Sequence, residues 1–223
     1  MNSRNSKMTT DDLAFFGTVN ASISHELKNI LAIISEAAGL LNDLTEMATS
    51  GGDIQLQMLQ NCSRDIVEEI QRGFVTIKRM NAFSHSVDDP VKAVDIADCL
   101  DLMTGLAGFL SYACRIRHQP PKKQVPPVVT RPFRLQHLIY QTLVHAFKSV
   151  GPDGEIHLSL QREMDDAARI RFAGIGSGHS AVFPTESAGS VAASINAEVS
   201  IDEERRTIDI VVRSLDEAGC DGQ

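Results

Sequence analysis

Four cysteines in 223 residues, none of them in a CxxC pair, leave little room for thiol chemistry. Cys62, Cys99, Cys114 and Cys220 are scattered, which argues against a disulfide framework or a thiolate zinc site; free thiols in a reducing cytosol are expected. Positive charge is also short: 21 Lys and Arg against 29 Asp and Glu leave a formal charge of -8, the opposite of a nucleic-acid-binding footprint. Long hydrophobic runs are missing. The best membrane-span candidate, Leu100 to Ala113, is too short to cross and is broken near its start by Asp101, so it reads as a buried helix. The first dozen residues are polar and do not resemble a signal peptide. There is no internal repeat and no low-complexity tract. A cytoplasmic protein with no membrane segment and no nucleic-acid partner is expected.

The 43% hydrophobic content is that of an ordinary globular chain and suffices for one or two domains with cores. Its most regular stretch runs from Ser22 to Leu44, where Ile23, Leu27, Ile30, Ile34, Ala37, Leu41 and Leu44 follow each other at alternating intervals of four and three. That spacing is a heptad seam and calls for a partner helix. His25 falls midway between two seam positions, on the outer side of the helix, and Asn29 lies one turn on along nearly the same face.

Asp11 or Asp12 is expected to cap a first helix running to about Ala48, stopped by Gly51-Gly52, with Asp53 capping a second helix from about Ile54 to Ser86. Two long amphipathic helices on a short turn make an antiparallel hairpin. One hairpin cannot bury so long a seam, so residues 11–87 are expected to pair with a second copy as a four-helix bundle in a homodimer. Residues 88–94 read as a linker. From 95 to 214 the pattern suggests an α+β sandwich: a helix from Ile96 to about Arg117, a strand within Val125 to Thr130, a helix from Phe133 to about Val150, and strands around Ile156 to Leu160 and Ile170 to Phe172. A short helix over Ser187 to Ile195 and a closing hairpin of Val199-Ile201 with Ile208-Val212 complete it.

The chemistry-bearing candidates are His25, Glu26 and Asn29. An exposed imidazole is a good nucleophile toward phosphorus near neutral pH. A neighbouring carboxylate can take the proton on one ring nitrogen and free the other, and an amide one turn away can hold a phosphoryl oxygen or a water. HExxN is not a metalloprotease helix, which needs a second histidine where Asn29 stands, and no metal site is expected.

Ser24-His25-Glu26-Leu27-Lys28-Asn29 resembles the H-box of two-component sensor histidine kinases, on the first helix of their dimerisation and phosphotransfer hairpin. Arg131-Pro132-Phe133-Arg134-Leu135 is similar to the approach to the family's N-box, and Ile170 to Gly178 looks like the strand and loop of its G1 box. The resemblance covers roughly Asp12 to Ser214, and the design is close to that of dimeric histidine phosphotransferases. It implies that the second domain resembles the histidine-kinase ATPase fold. It also implies that His25 accepts a phosphoryl group, that Glu26 is its acid/base partner and that Asn29 places a water for dephosphorylation.

The chain departs from the family's pattern at the H-box and, more heavily, where a nucleotide would bind. The proline that usually follows the H-box is replaced by Ile30. The family's magnesium-ligating asparagine falls on His145 and the one before it on Gln141. The G1 carboxylate position is Gly174, although Gly176 and Gly178 remain, and Lys148 matches the phosphate-contacting lysine. Lys148, Gly176 and Gly178 are thus a vestigial nucleotide site. No cofactor is expected; ATP and Mg2+ enter only if the altered boxes still function.

The reading is therefore a phosphotransfer protein exchanging phosphoryl groups between His25 and the aspartate of a response-regulator receiver domain. The alternatives are an active ATP-dependent histidine kinase and a non-catalytic regulator that binds a receiver or a kinase. Phosphatase activity toward a response regulator is compatible with phosphotransfer.

Overall fold

The structure is a computed structural model. It describes residues 8–53, 55–107, 114–121, 124–151, 153–164, 167–176 and 182–215. They fall into two compact units: residues 18–82 form one, and the chain up to Gly17 joins the chain from Phe83 onward in the other.

Helix α1 spans Thr10–Thr49 and α2 spans Leu56–Ser84. The α1 cap differs from expectation. Thr9, not an aspartate, is the capping residue: the Asp12 carboxylate accepts from the Thr9 amide at 2.8 Å and the Thr9 hydroxyl at 2.9 Å, while the Asp12 amide donates back to that hydroxyl at 3.2 Å. This reciprocal arrangement is a capping box, with Asp12 as its third helical residue. At the other end the amides of Gly51 and Gly52 donate to the carbonyls of Ala48 and Met47. Gly51 has φ of +83°, which glycine adopts without steric cost. The second helix begins two residues later than expected and ends in a single 3-10 turn, His85–Val87.

Within the hairpin unit the seam faces inward. Ile23, Ile30 and Leu44 are buried, and Leu27, Ile34, Ala37 and Leu41 are half-buried. Opposite them on α2, Cys62, Gly73 and Thr76 are buried, and a Cβ on Gly73 would already touch Ile30 at 3.7 Å. The hairpin also shows a second apolar surface: Leu31, Val67, Phe74, Val75 and Ile77 stay exposed, Leu31 and Phe74 at 64%.

The other unit holds β1 (Lys92–Val94), α3 (Ile96–Ala107), β2 (Arg115–Gln119), β3 (Val128–Thr130), α4 (Pro132–Val150), β4 (Glu155–Arg162), β5 (Ala168–Ala173), α5 (Glu186–Ser194), β6 (Ala197–Asp202) and β7 (Thr207–Val212). A five-stranded sheet has the order β2-β4-β5-β7-β6, with β2 parallel to β4 and the rest antiparallel; β1 and β3 form a separate antiparallel pair. Leu158, Phe172 and Ile208 lie in one cross-strand row and Leu160, Ile170 and Ile210 in the next, all buried. Strands of alternating character bury one face this way. Helix α4 packs between α3 and α5 and against β4, with Leu135, Leu138, Ile139 and Leu143 fully buried. The α+β layer architecture is that expected.

Two boundaries are corrected. Lys92–Val94 belongs to a strand rather than to a linker, because it pairs with Val128–Thr130. Arg115–Arg117 is not the end of a helix: α3 is described over Ile96–Ala107, and Arg115–Gln119 is a strand that runs parallel to β4. Local pattern lost there to tertiary pairing, supported by the Arg117–Glu155 ion pair at 2.7 Å. No helix among the described residues is long and apolar enough to cross a membrane.

Candidate functional site

His25 lies in the fifth turn of α1 and its side chain is exposed. Asn29, four residues on, brings its Nδ2 within 3.3 Å of the His25 Nδ1. With the Asn29 N–H donating, Nδ1 accepts, which is the pairing of the Nε2–H tautomer.

Glu26 is next in sequence but points elsewhere. One residue is about 100° of helical rotation, which carries its side chain from the outer face toward α2. There it is 5% exposed and accepts a hydrogen bond from Nη2 of Arg72. The carboxylate expected against the imidazole is thus held by a guanidinium. Arg72 also donates from Nη1 to both carboxylate oxygens of Glu69, each at 3.2 Å. Partial burial works against the Arg72 charge, but hydrogen bonds and fields from Glu26 and Glu69 more than offset it, so its pKa lies above the ordinary value. The sequence reading missed Arg72. The only signal was geometric: laying two helices antiparallel about the turn near Gly51 sets the low seventies opposite the mid twenties.

The second group of expected residues lies on and beside α4. Lys148 is exposed on its last turn. Gly176 presses on the end of the same helix: a Cβ there would come within 1.9 Å of the Ser149 carbonyl oxygen. Gly174, with φ of +92°, leaves a Cβ only 2.6 Å from the Glu155 carbonyl oxygen. These glycines are required by close backbone approach. Gly178 lies outside the described residues.

The α4 positions that resemble the N-box are occupied from within the chain. The His145 ring stacks on Phe183 with centroids 4.6 Å apart. Gln141 directs its Nε2 to His137 Nε2 at 3.0 Å and to Ser187 Oγ at 3.1 Å, while its Oε1 is buried with no hydrogen-bond partner among the described residues. His137 is 3% exposed, stacks on Phe15 at 4.4 Å and donates from Nδ1 to Asp12 at 3.3 Å; Arg134 reaches the same aspartate at 2.8 Å. Burial pulls the His137 pKa below its usual value, and the Asp12 carboxylate only partly restores it. This cluster was invisible in the sequence, since 125 residues separate its halves.

Such a face does not fit a magnesium nucleotide. Magnesium asks for oxygen ligands, and His145 offers a nitrogen engaged in a stack. Gly174 carries no carboxylate for an adenine amino group. No group of three His, Cys, Asp or Glu side chains among the described residues is placed to hold a metal. The three described cysteines are free thiols, and burial pushes Cys99 up to about 12.

No protein-family profile matches the chain, and no curated protein does. Among solved structures it is similar to the Acinetobacter baumannii histidine kinase AdeS, at 8% identity over 86% of this chain and 98% of that one, with a TM-score of 0.48. It is also similar to the mycobacterial sensor histidine kinase MprB, at 14% identity over 56% of this chain and 99% of that one, TM-score 0.46. The cytoplasmic segment of the histidine kinase QseC is a third, at 15% identity over 65% of this chain and 93% of that one, TM-score 0.40.

Proposed function

We propose that this protein is a two-component phosphotransfer protein in which His25 exchanges a phosphoryl group with the aspartate of a receiver domain. The observation that carries the reading is the exposed His25 ring on the outer face of α1, with its Nδ1 bound by the amide of Asn29 one turn on. A histidine serving only to pack would sit in the seam.

In the transfer, the lone pair of Nε2 attacks the phosphorus of an aspartyl phosphate in line. The P–N bond forms as the P–O bond to the aspartate breaks, and the freed carboxylate stays on the receiver. This requires the ring proton on Nδ1, where a carboxylate or an amide oxygen can accept from it and spread the positive charge that the ring gains. The reverse step returns the group to an aspartate. Asn29 is also placed to orient a water toward a phosphoryl group on a docked partner.

The exposed apolar side chains, Leu31, Val67 and Phe74 among them, support pairing of two hairpins into a four-helix bundle, since pairing would take them out of water. The residues at the N-box and G1 positions support a phosphoryl supply other than ATP. The test is incubation with a phosphorylated receiver and, separately, with labelled ATP. Label on His25 from the first, lost in His25→Gln, is the expected result. If His25→Gln keeps full effect on its partner, the protein is a binding regulator instead. Asn29→Ala is expected to slow phosphate release while His25 still takes label.

A further inference from the structure

Building on that reading, we propose that Arg72 is a positioning residue that withholds Glu26 from His25, so that an acidic partner engaging Arg72 arms the ring for attack. Three observations place the device. Glu26 is nearly buried and bound to Arg72, so it is not at His25. His25 Nδ1 faces the Nδ2 of Asn29 at 3.3 Å, the pairing of the Nε2–H tautomer, in which Nδ1 accepts and Nε2 carries the proton. Arg72 itself is 46% exposed in its side chain, within reach of a docking surface, and is already shared with a second carboxylate on Glu69.

The ring is therefore parked. Arming it requires a proton on Nδ1 and an acceptor beside it. Glu26 is the nearest carboxylate in sequence, and Arg72 is what holds it. A receiver presents its phosphorylated aspartate among acidic groups, and a third carboxylate or the phosphoryl oxygens would compete for the Arg72 fork. Once released, Glu26 turns toward the imidazole; Nδ1 parts from the Asn29 amide and takes a proton from water, Glu26 accepts a hydrogen bond from that Nδ1–H, and Nε2 gives its own proton to water and faces outward with its lone pair. Attack on phosphorus then forms the P–N bond and breaks the acyl phosphate P–O bond, while the Nδ1 proton remains shared with Glu26. The same ion pair protects His25 from reaction before a partner arrives.

Ring 15N shifts of His25 in the whole chain read the tautomer without any phosphoryl transfer. Wild type is expected to show the Nε2–H form. Arg72→Met is expected to move the population toward Nδ1–H and to raise the initial rate of phosphoryl uptake from a phosphorylated receiver by roughly tenfold. Combining Arg72→Met with Glu26→Gln should remove both effects, because the released group is then an amide. Arg72→Lys keeps the charge but not the fork, and is expected to give a smaller shift of the same sign. A tautomer unchanged in Arg72→Met, or a change in Arg72→Met that persists in full with Glu26→Gln, overturns the proposal. Absence of label on His25 in every variant, with the tautomer shift intact, would instead overturn the phosphotransfer reading.

Discussion

His137 is the residue whose protonation should matter most to stability. It is buried, stacked on Phe15, and burial holds its pKa below the ordinary 6.5. The unfolded chain therefore takes up a proton at a higher pH than the folded one. Stability from this site is fully present above about pH 6.5 and falls as the pH drops toward the lowered folded value. Urea unfolding followed at pH 7.5 and pH 5.5 is expected to show that loss, and His137→Gln should flatten it; equal acid sensitivity in the variant would assign it to other groups. At the same scale, the pairing of His25 with Asn29 was legible because an interval of four fixes a shared face. The turning of Glu26 to Arg72 was not, because it depends on a residue 46 positions away. Arg72 is half exposed, so the pair's contribution is screened, and Arg72→Met should lower stability by only ~1 kcal/mol.

Between elements, the contact of the loop after β5 with the end of α4 is tight enough to test directly. Gly176→Ala would set a methyl group 1.9 Å from the Ser149 carbonyl, so backbone must move. A loss of about 1–3 kcal/mol in thermal or urea unfolding is expected, whether or not a nucleotide is added. A variant as stable as wild type would return Gly176 to the role of a ligand cradle. The hairpin offers a second test at this scale. Phe74 is 64% exposed on α2; with hairpins paired as proposed, the light-scattering mass is expected to be that of a dimer and to fall to a monomer's in Phe74→Glu, and a monomeric wild type would overturn the pairing. Helices α1, α2 and α4 were legible because each repeats an apolar stripe over many turns. Strand β2 was hidden behind the apolar run that forms α3, and its Arg115-Ile116-Arg117 alternation has meaning only beside β4.

Across the whole chain, the order of elements and the chemistry of the N-box positions point in different directions. A helical hairpin followed by a sheet layered with helices is a scaffold that the sequence made legible through its element order, β1 and β2 apart. What that scaffold would do with ATP is decided by a few side chains. His145 is committed to Phe183, Gln141 to His137 and Ser187, and the first two turns of α1 supply Asp12 and Phe15 to the same helix face. A nucleotide entering there would have to displace these contacts and would find no carboxylate at Gly174 in return. Calorimetric titration with ATP and Mg2+ is therefore expected to give no saturable heat, and labelled ATP no label on His25, under conditions where a phosphorylated receiver labels it. Restoring only the oxygen ligand, by His145→Asn, should not rescue binding, because Gln141 and Gly174 remain unsuited. Micromolar binding by the wild-type protein would mean that the 183–187 segment yields to nucleotide, and that the chain draws phosphoryl groups from ATP after all.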